Sequence, residues 1–222
     1  MFIGHFALGL AAKRAAPRQS LATLFAAAQL ADLLWPVLVF AGVESVRIDP
    51  GNTAMTPLDF VSYPYSHSLA TLIVWAVLFA FVFAREPSRA TPWVLMGLVV
   101  SHWVLDFATH RPDMPLYPGG PKAGLGLWNS VAATVAVEGV MFAAGLWMYL
   151  RATRARDAIG RWATAALVVV LLGSYAANIS GGSPPSVDAI VIVGAIGGVI
   201  LLALSAWADA HREATHGVQG FE

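Results

Sequence analysis

In the stretch "SHWVLDFATHRPD", His102, Asp106 and His110 are spaced four and four inside an otherwise apolar run. His102 and Asp106 share a helix face, so an imidazole and a carboxylate can converge on one ion. His110 is eight residues from His102, about 12 Å along a straight helix, too far for one ion to take both ends easily. Two arrangements follow. Two ions could be bridged by Asp106, or the helix ends before Pro112 and His110 folds back. Other apolar stretches carry metal-capable side chains too: His5 in "IGHFALG", Asp32 in "QLADLLWP", and His67 at the opening of a third. Imidazole and carboxylate together suit Zn²⁺, Mn²⁺ or Fe²⁺, and a chain without cysteine offers no thiolate; one or two Zn²⁺ ions are the first expectation. Such an ion lowers the pKa of water toward about 7 and polarises an ester oxygen. Asp106, or Glu138 inside "NSVAATVAVEGVMF", would serve the catalysis, with Glu138 as a proton acceptor, a ligand or a group behind the ligands.

The elements that must position these residues are membrane helices. The chain has 222 residues, 58% hydrophobic and only 12% charged, about half the charge of a soluble domain. The net charge is zero, which gives no reason to expect a nucleic-acid partner. A spanning helix needs about 20 mostly apolar residues. The sequence predicts an all-α, polytopic transmembrane bundle of six spans, at about 20–43, 66–84, 90–108, 125–150, 161–178 and 186–208. A short apolar N-terminal helix at 2–12 would rise about 16 Å. No linker divides the chain, so residues 1–222 read as one integral-membrane domain.

Of the 13 basic residues, 10 fall on one side of this arrangement: Lys13, Arg14, Arg18, Arg85, Arg89, Arg151, Arg154, Arg156, Arg161 and Arg212. The positive-inside rule makes that side, with the C-terminus, cytoplasmic in an inner membrane. The other side holds two long loops rich in Pro, Gly and aromatics, at 44–65 and 109–124. Arg111 and Lys122 in those loops could hold a phosphate. His211 and His216 fall in a polar tail with no role assigned. Counting helical rise from the basic side, Asp32 and His102 lie about 18 Å up, Asp106 about 24 Å, His110 about 30 Å and His5 about 12 Å. The metal-capable groups therefore gather in the middle and outer half of the bilayer.

Ionisable residues in a membrane are costly, and they mark ion sites, relays or interhelical contacts. Three readings follow. One is a metal-dependent hydrolase. Another is a divalent-cation or proton transporter, or a metal-binding membrane protein. The last is a scaffold whose polar groups only bind helices together. Transport calls for polar residues continuing to the cytoplasmic face, whereas "TLIVWAVLFAFVFA" is apolar throughout.

The same residues carry a resemblance. Gly4-His5, Asp32 after an apolar run, Ser66-His67-Ser68 opening a span, and Ser101, His102 and Asp106 follow one another in order over residues 1–130. In this the chain resembles the YdjM-like family of membrane-bound metal-dependent hydrolases. The second Asp and the His of that family's Asp-x-Asp-His element are absent, with Leu34 and Trp35 in that region. The resemblance implies a metal held by His5, Asp32, His67, His102 and Asp106, with His110 standing in for a missing ligand. It also implies hydrolysis. A site under outer loops suits an ester or phosphoester of a lipid-like substrate, a phospholipid or lipid-linked phosphate, with its tail left in the bilayer.

Overall fold

A computed structural model describes residues 1–84 and 88–215. Arg85 and His216 lie outside the described residues. The chain is mostly helical, with 66% of it in helices. In order, these are α1 (Ile3–Ala12), α2 (Leu21–Ala28), α3 (Leu30–Phe40), α4 (Pro64–His67), α5 (Leu69–Phe83), α6 (Thr91–Thr109), α7 (Val131–Ala152), α8 (Ala158–Ser180) and α9 (Val187–Ala210). Side chains that prefer helix caps begin several of them. Ser20, Ser68, Ser130, Asp157 and Ser186 each accept a backbone N–H three residues on, which satisfies donors a helix start leaves free.

Four helices among the described residues, α6 to α9, are long and apolar enough to cross a membrane. Their outward faces are apolar: Trp93 on α6 is 71% exposed and Val193 on α9 is 70% exposed, a surface suited to lipid rather than water. The expected first span is broken. α2 and α3 meet at Gln29 with a 60° bend, and only as a pair do they reach spanning length. The expected second span yields α5, whose 15 residues rise about 22 Å, short of the roughly 30 Å hydrocarbon core.

Among the described residues, six short strands, β1 to β6, accompany the helices, paired as three antiparallel ribbons that the all-α expectation did not include. β1 (Ser45–Ile48) pairs with β2 (Leu58–Ser62), and β3 (Met114–Pro115) with β4 (Lys122–Ala123). These ribbons close the two long loops. β5 (Thr153–Ala155) pairs with β6 (Arg212–Ala214), tying the α7–α8 connection to the tail at the basic end. There His211 hydrogen-bonds Asp157 at 2.8 Å, so the tail histidine has a partner.

Two apolar cores flank the centre. One joins α2, α3, α5 and α6 through residues such as Leu24, Ala31, Leu72 and Leu98. The other joins α1, α7 and α8 through Phe6, Leu10, Phe142 and Leu167. α1 can lie close on α7 because Gly145 faces the Ala7 carbonyl, where any Cβ would collide. At the basic end, Lys13 Nζ donates to Asp209 Oδ2 at 2.6 Å, and Leu21 N–H donates to the same oxygen at 3.0 Å. Tyr149 OH donates to Asp209 Oδ1 at 3.2 Å. One buried carboxylate thus holds α1, α2, α7 and α9 together.

Candidate metal centre

Asp106 stands at the centre of the site, one turn from the end of α6. Its Oδ1 lies 3.0 Å from His5 Nε2 on α1, and its Oδ2 lies 3.1 Å from His102 Nε2 on its own helix. His67 Nε2 is 3.9 Å from Oδ2 and His110 Nε2 is 4.0 Å from it. Asp32 Oδ1 lies 3.4 Å from His67 Nε2 and 3.8 Å from His102 Nε2. All six residues named from the sequence as metal-capable therefore meet in one place. Two triads, His5–His102–Asp106 and Asp32–His67–His102, each offer donor atoms within 4.8 Å of one another.

Each ligand arrives by a different structural device. His102 and Asp106 use the four-residue helical spacing. His67 sits in the elbow between α4 and α5, fixed when Ser68 turns extended and caps α5. Of the two arrangements open for His110, the structure shows the second. α6 ends at Thr109, His110 takes extended backbone angles, and its side chain returns to Asp106. Asp32 comes from the first turn of α3, aimed by the break at Gln29. His5 stacks on His102 with ring centroids 3.8 Å apart.

The far nitrogens of three imidazoles are each committed. His102 Nδ1–H donates to the Ala28 carbonyl at 2.8 Å. His110 Nδ1–H donates to Asp113 Oδ1 at 3.0 Å. Ser66 Oγ donates its one hydrogen to Glu44 Oε2 at 2.6 Å, so it accepts from His67 Nδ1–H at 2.7 Å. With Nδ1 carrying the proton, Nε2 of His67, His102 and His110 presents a lone pair to the carboxylates. His102 Nε2 is buried and has no hydrogen-bond partner within the protein. Lone pairs on nitrogen and on carboxylate oxygen face each other across 3.1 to 4.0 Å. Positive charge among them, from the Met1 α-amino group on Asp106, from protons or from a metal ion, is what makes such an arrangement stable.

The donor separations fit a metal. A tetrahedral ion with bonds of about 2.0 to 2.1 Å holds its ligands about 3.3 Å apart. His102 Nε2–Asp106 Oδ2, at 3.1 Å, and Asp32 Oδ1–His67 Nε2, at 3.4 Å, match that spacing; Asp32 Oδ1–His102 Nε2, at 3.8 Å, and His67 Nε2–Asp106 Oδ2, at 3.9 Å, are longer, and the donors group as two triads that share His102. His5 and His110 flank Asp106. The three histidines His5, His67 and His102, with Asp106, are at most 3% exposed, while the Asp32 side chain is 45% exposed. Asp32 is thus the open side of an otherwise closed set.

Other charged groups play supporting parts. The Met1 α-amino group contacts Asp106 Oδ1 and lies 3.2 Å from Thr109 Oγ1. Glu138 Oε2 accepts from the Phe2 and Gly4 N–H groups at 2.9 and 3.1 Å. It therefore holds the first turn of α1, one residue from His5. Arg111 donates to Asp59 and, at 3.2 Å, to Asp113 Oδ2, and Arg47 donates to Asp59 at 2.6 Å. The guanidinium expected to hold a phosphate is engaged with two carboxylates. Burial alone would raise the Asp113 carboxyl, but hydrogen bonds from His110, Tyr63 and Arg111 hold it below its usual range. Burial and the adjacent Asp113 push the Tyr63 phenol far up, so it remains a proton donor.

Glu44, Ser66 and Asp113 escaped the sequence reading as partners of the histidines. Ser66 adjoins His67, and Asp113 follows His110 by three, which is the one local signal available. No family model, curated protein or solved structure matches the chain.

Proposed function

We propose that the chain is a membrane-embedded, metal-dependent hydrolase acting on an ester or phosphoester of a lipid-like substrate at the outer side of the membrane. The observation that carries this reading is the convergence of four imidazoles and two carboxylates, with three of the imidazoles oriented by hydrogen bonds at Nδ1. Such outer partners fix ligand geometry in metal centres. Zn²⁺ suits the donor set best, and Mn²⁺ or Fe²⁺ also suit it. A divalent ion held there supplies Lewis acidity toward an ester oxygen and toward water.

Asp32, His67 and His102 would form one ligand set, and His5, His102 and Asp106 the other. His5 and His110, on either side of Asp106, would add donors if a second ion were held there. Asp32 is the carboxylate open to a substrate, and its oxygen that does not face His67 and His102 would accept a proton from attacking water. Glu138 is a positioning residue: its bonds to α1 keep His5 on Asp106. Six crossings complete the proposed topology, with α2–α3 and α5 as the shorter two, the basic ends cytoplasmic and the hairpins β1–β2 and β3–β4 outside. The site then lies at the outer end of the bundle. Apolar walls separate it from the basic side, which favours a one-sided site over a conduction path.

The test uses purified protein in mixed micelles with phosphatidylglycerol or phosphatidate. Release of phosphate, headgroup or fatty acid should require Zn²⁺, vanish with a chelator and return on readdition. Asp32→Asn should weaken metal binding and lose turnover even with Zn²⁺ in excess. Metal-loaded protein that releases none of these products, yet carries radioactive zinc into liposomes, would replace hydrolysis with transport.

A further inference from the structure

A cavity of about 620 Å³ runs between α3 and α9 and reaches α1 at Phe2 and Phe6. Its size is that of a small-molecule site. Its long wall is apolar, built from Leu33, Pro36, Ile190, Val193, Leu201 and Leu202. One end is polar. Gln29, Asp32 and Trp35 stand there at intervals of three on the same side of the bent α2–α3 pair. Gln29 Oε1 and Trp35 Nε1 are buried and have no hydrogen-bond partner within the protein. Buried polar atoms usually have one. Asp32 belongs to both places: it lines this groove and lies 3.4 Å from His67 Nε2.

The glycines of α9 shape the groove. A Cβ on Gly198 would meet Leu33 at 2.8 Å, and one on Gly194 would meet Pro36 at 3.4 Å, so these two let α9 close on α3. Gly197 also lines the groove, but a Cβ there meets nothing within 4 Å. The outer rim is continuous with the exposed apolar face of α9, where Ile192, Val193 and Ile196 are more than half exposed. The groove therefore opens onto the surface that faces lipid.

We propose that this groove seats one acyl chain of a bilayer phospholipid, with the polar head at Gln29, Asp32 and Trp35 beside the metal centre. An ester carbonyl of the glycerol backbone can accept from Trp35 Nε1–H, and a headgroup hydroxyl, as in phosphatidylglycerol, can donate to Gln29 Oε1. The apolar wall takes the chain without removing it from a hydrocarbon environment. The site assigned here rests on the hydrolase reading for its meaning as a substrate subsite. The seat itself needs only the groove.

The test places the full-length protein in phosphatidylcholine nanodiscs with a trace of phosphatidylglycerol bearing a diazirine at one chain end. After illumination, crosslinked peptides are mapped by mass spectrometry. Labelling should concentrate on α3 and α9 relative to the lipid-facing α5. Gly197→Trp should lower that labelling about tenfold, the loss that follows when about two buried methylenes are given up. Gly139→Trp on α7, where a Cβ also meets nothing within 4 Å, should leave it unchanged. If Gly197→Trp does not fold, Gly197→Leu serves, with a smaller fall in the same direction. The same pattern is expected with metal removed, so loss of hydrolysis alone does not touch it. Labelling no denser on α3 and α9 than on α5, or unchanged by either Gly197 variant, would overturn the proposal. So would a polyprenyl lipid rather than a phospholipid retained on the purified protein.

Discussion

The imidazole of His102 is gripped on one side by the Ala28 carbonyl and faces two carboxylates on the other. The spacing of His102 and Asp106 was legible in the sequence because a helix maps a four-residue interval onto one face. The partners behind the ligands were not. Glu44 reaches His67 through Ser66 only because β1–β2 folds back, and no local spacing encodes that return. These partners make a prediction. Asp113→Asn and Ser66→Ala remove no ligand, yet each should weaken zinc affinity about 10- to 100-fold, measured by competition with a chromophoric chelator. Unchanged affinity in both would mean the Nδ1 contacts do not orient the rings. The pH dependence has a definite sign. Asp113 is lowered in the folded state, so its network contributes above the unfolded value of about 3.9 and fades only as pH falls below that. Metal released between about pH 7 and pH 5 therefore reports protonation of ligands, and Asp113→Asn should not move that midpoint.

At the level of elements, four long apolar helices were readable, since length and apolarity alone identify them. The break at Gln29 was not. "LATLFAAAQLADLLWPVLVF" carries only Gln29 and Asp32 as charged or amide residues and no glycine or proline at the junction; the proline that would suggest a kink, Pro36, lies inside α3 rather than at the bend. Yet that break presents both the Ala28 carbonyl and Asp32 to α6. Two contacts set the remaining helices. Gly145→Val should push α1 off α7 and carry His5 away from Asp106, lowering both thermal stability and bound metal. Normal metal content in a folded Gly145→Val protein would show that His5 is dispensable. Lys13 and Asp209 form a buried pair with side chains 7% and 9% exposed. Lys13→Met leaves Asp209 uncompensated and should cost about 3 to 5 kcal/mol, much of it recovered in Lys13→Met/Asp209→Leu. Unfolding in mixed dodecyl sulfate micelles measures both.

Across the whole molecule, Lys13 lies at the opposite end of α1 from His5, while Arg47 and Arg111 sit on Asp59 beside the ligand cluster. A chain without cysteine makes the proposed orientation directly testable. A single cysteine at Asn52 or Gly119, in the two hairpin loops, should react with an impermeant thiol reagent added to intact cells. One at Arg156 should react only after the membrane is opened. The reverse pattern would turn the bundle over and move the site to the cytoplasmic side. That the metal-capable groups fall in the middle and outer half of the bundle was visible from helical rise, but their heights spread from about 12 to about 30 Å, and only the fold brings the six together. The groove beside Asp32 was not visible, since it depends on how α9 crosses α3.

Elemental analysis of the detergent-purified protein, before and after chelation, bears most directly on the centre. The wild-type chain should carry one or two zinc ions, or manganese or iron in their place, and His102→Ala and Asp106→Ala should each lose them while remaining monodisperse. A wild-type protein that holds no metal after incubation with Zn²⁺, or full occupancy in both variants, would contradict the account.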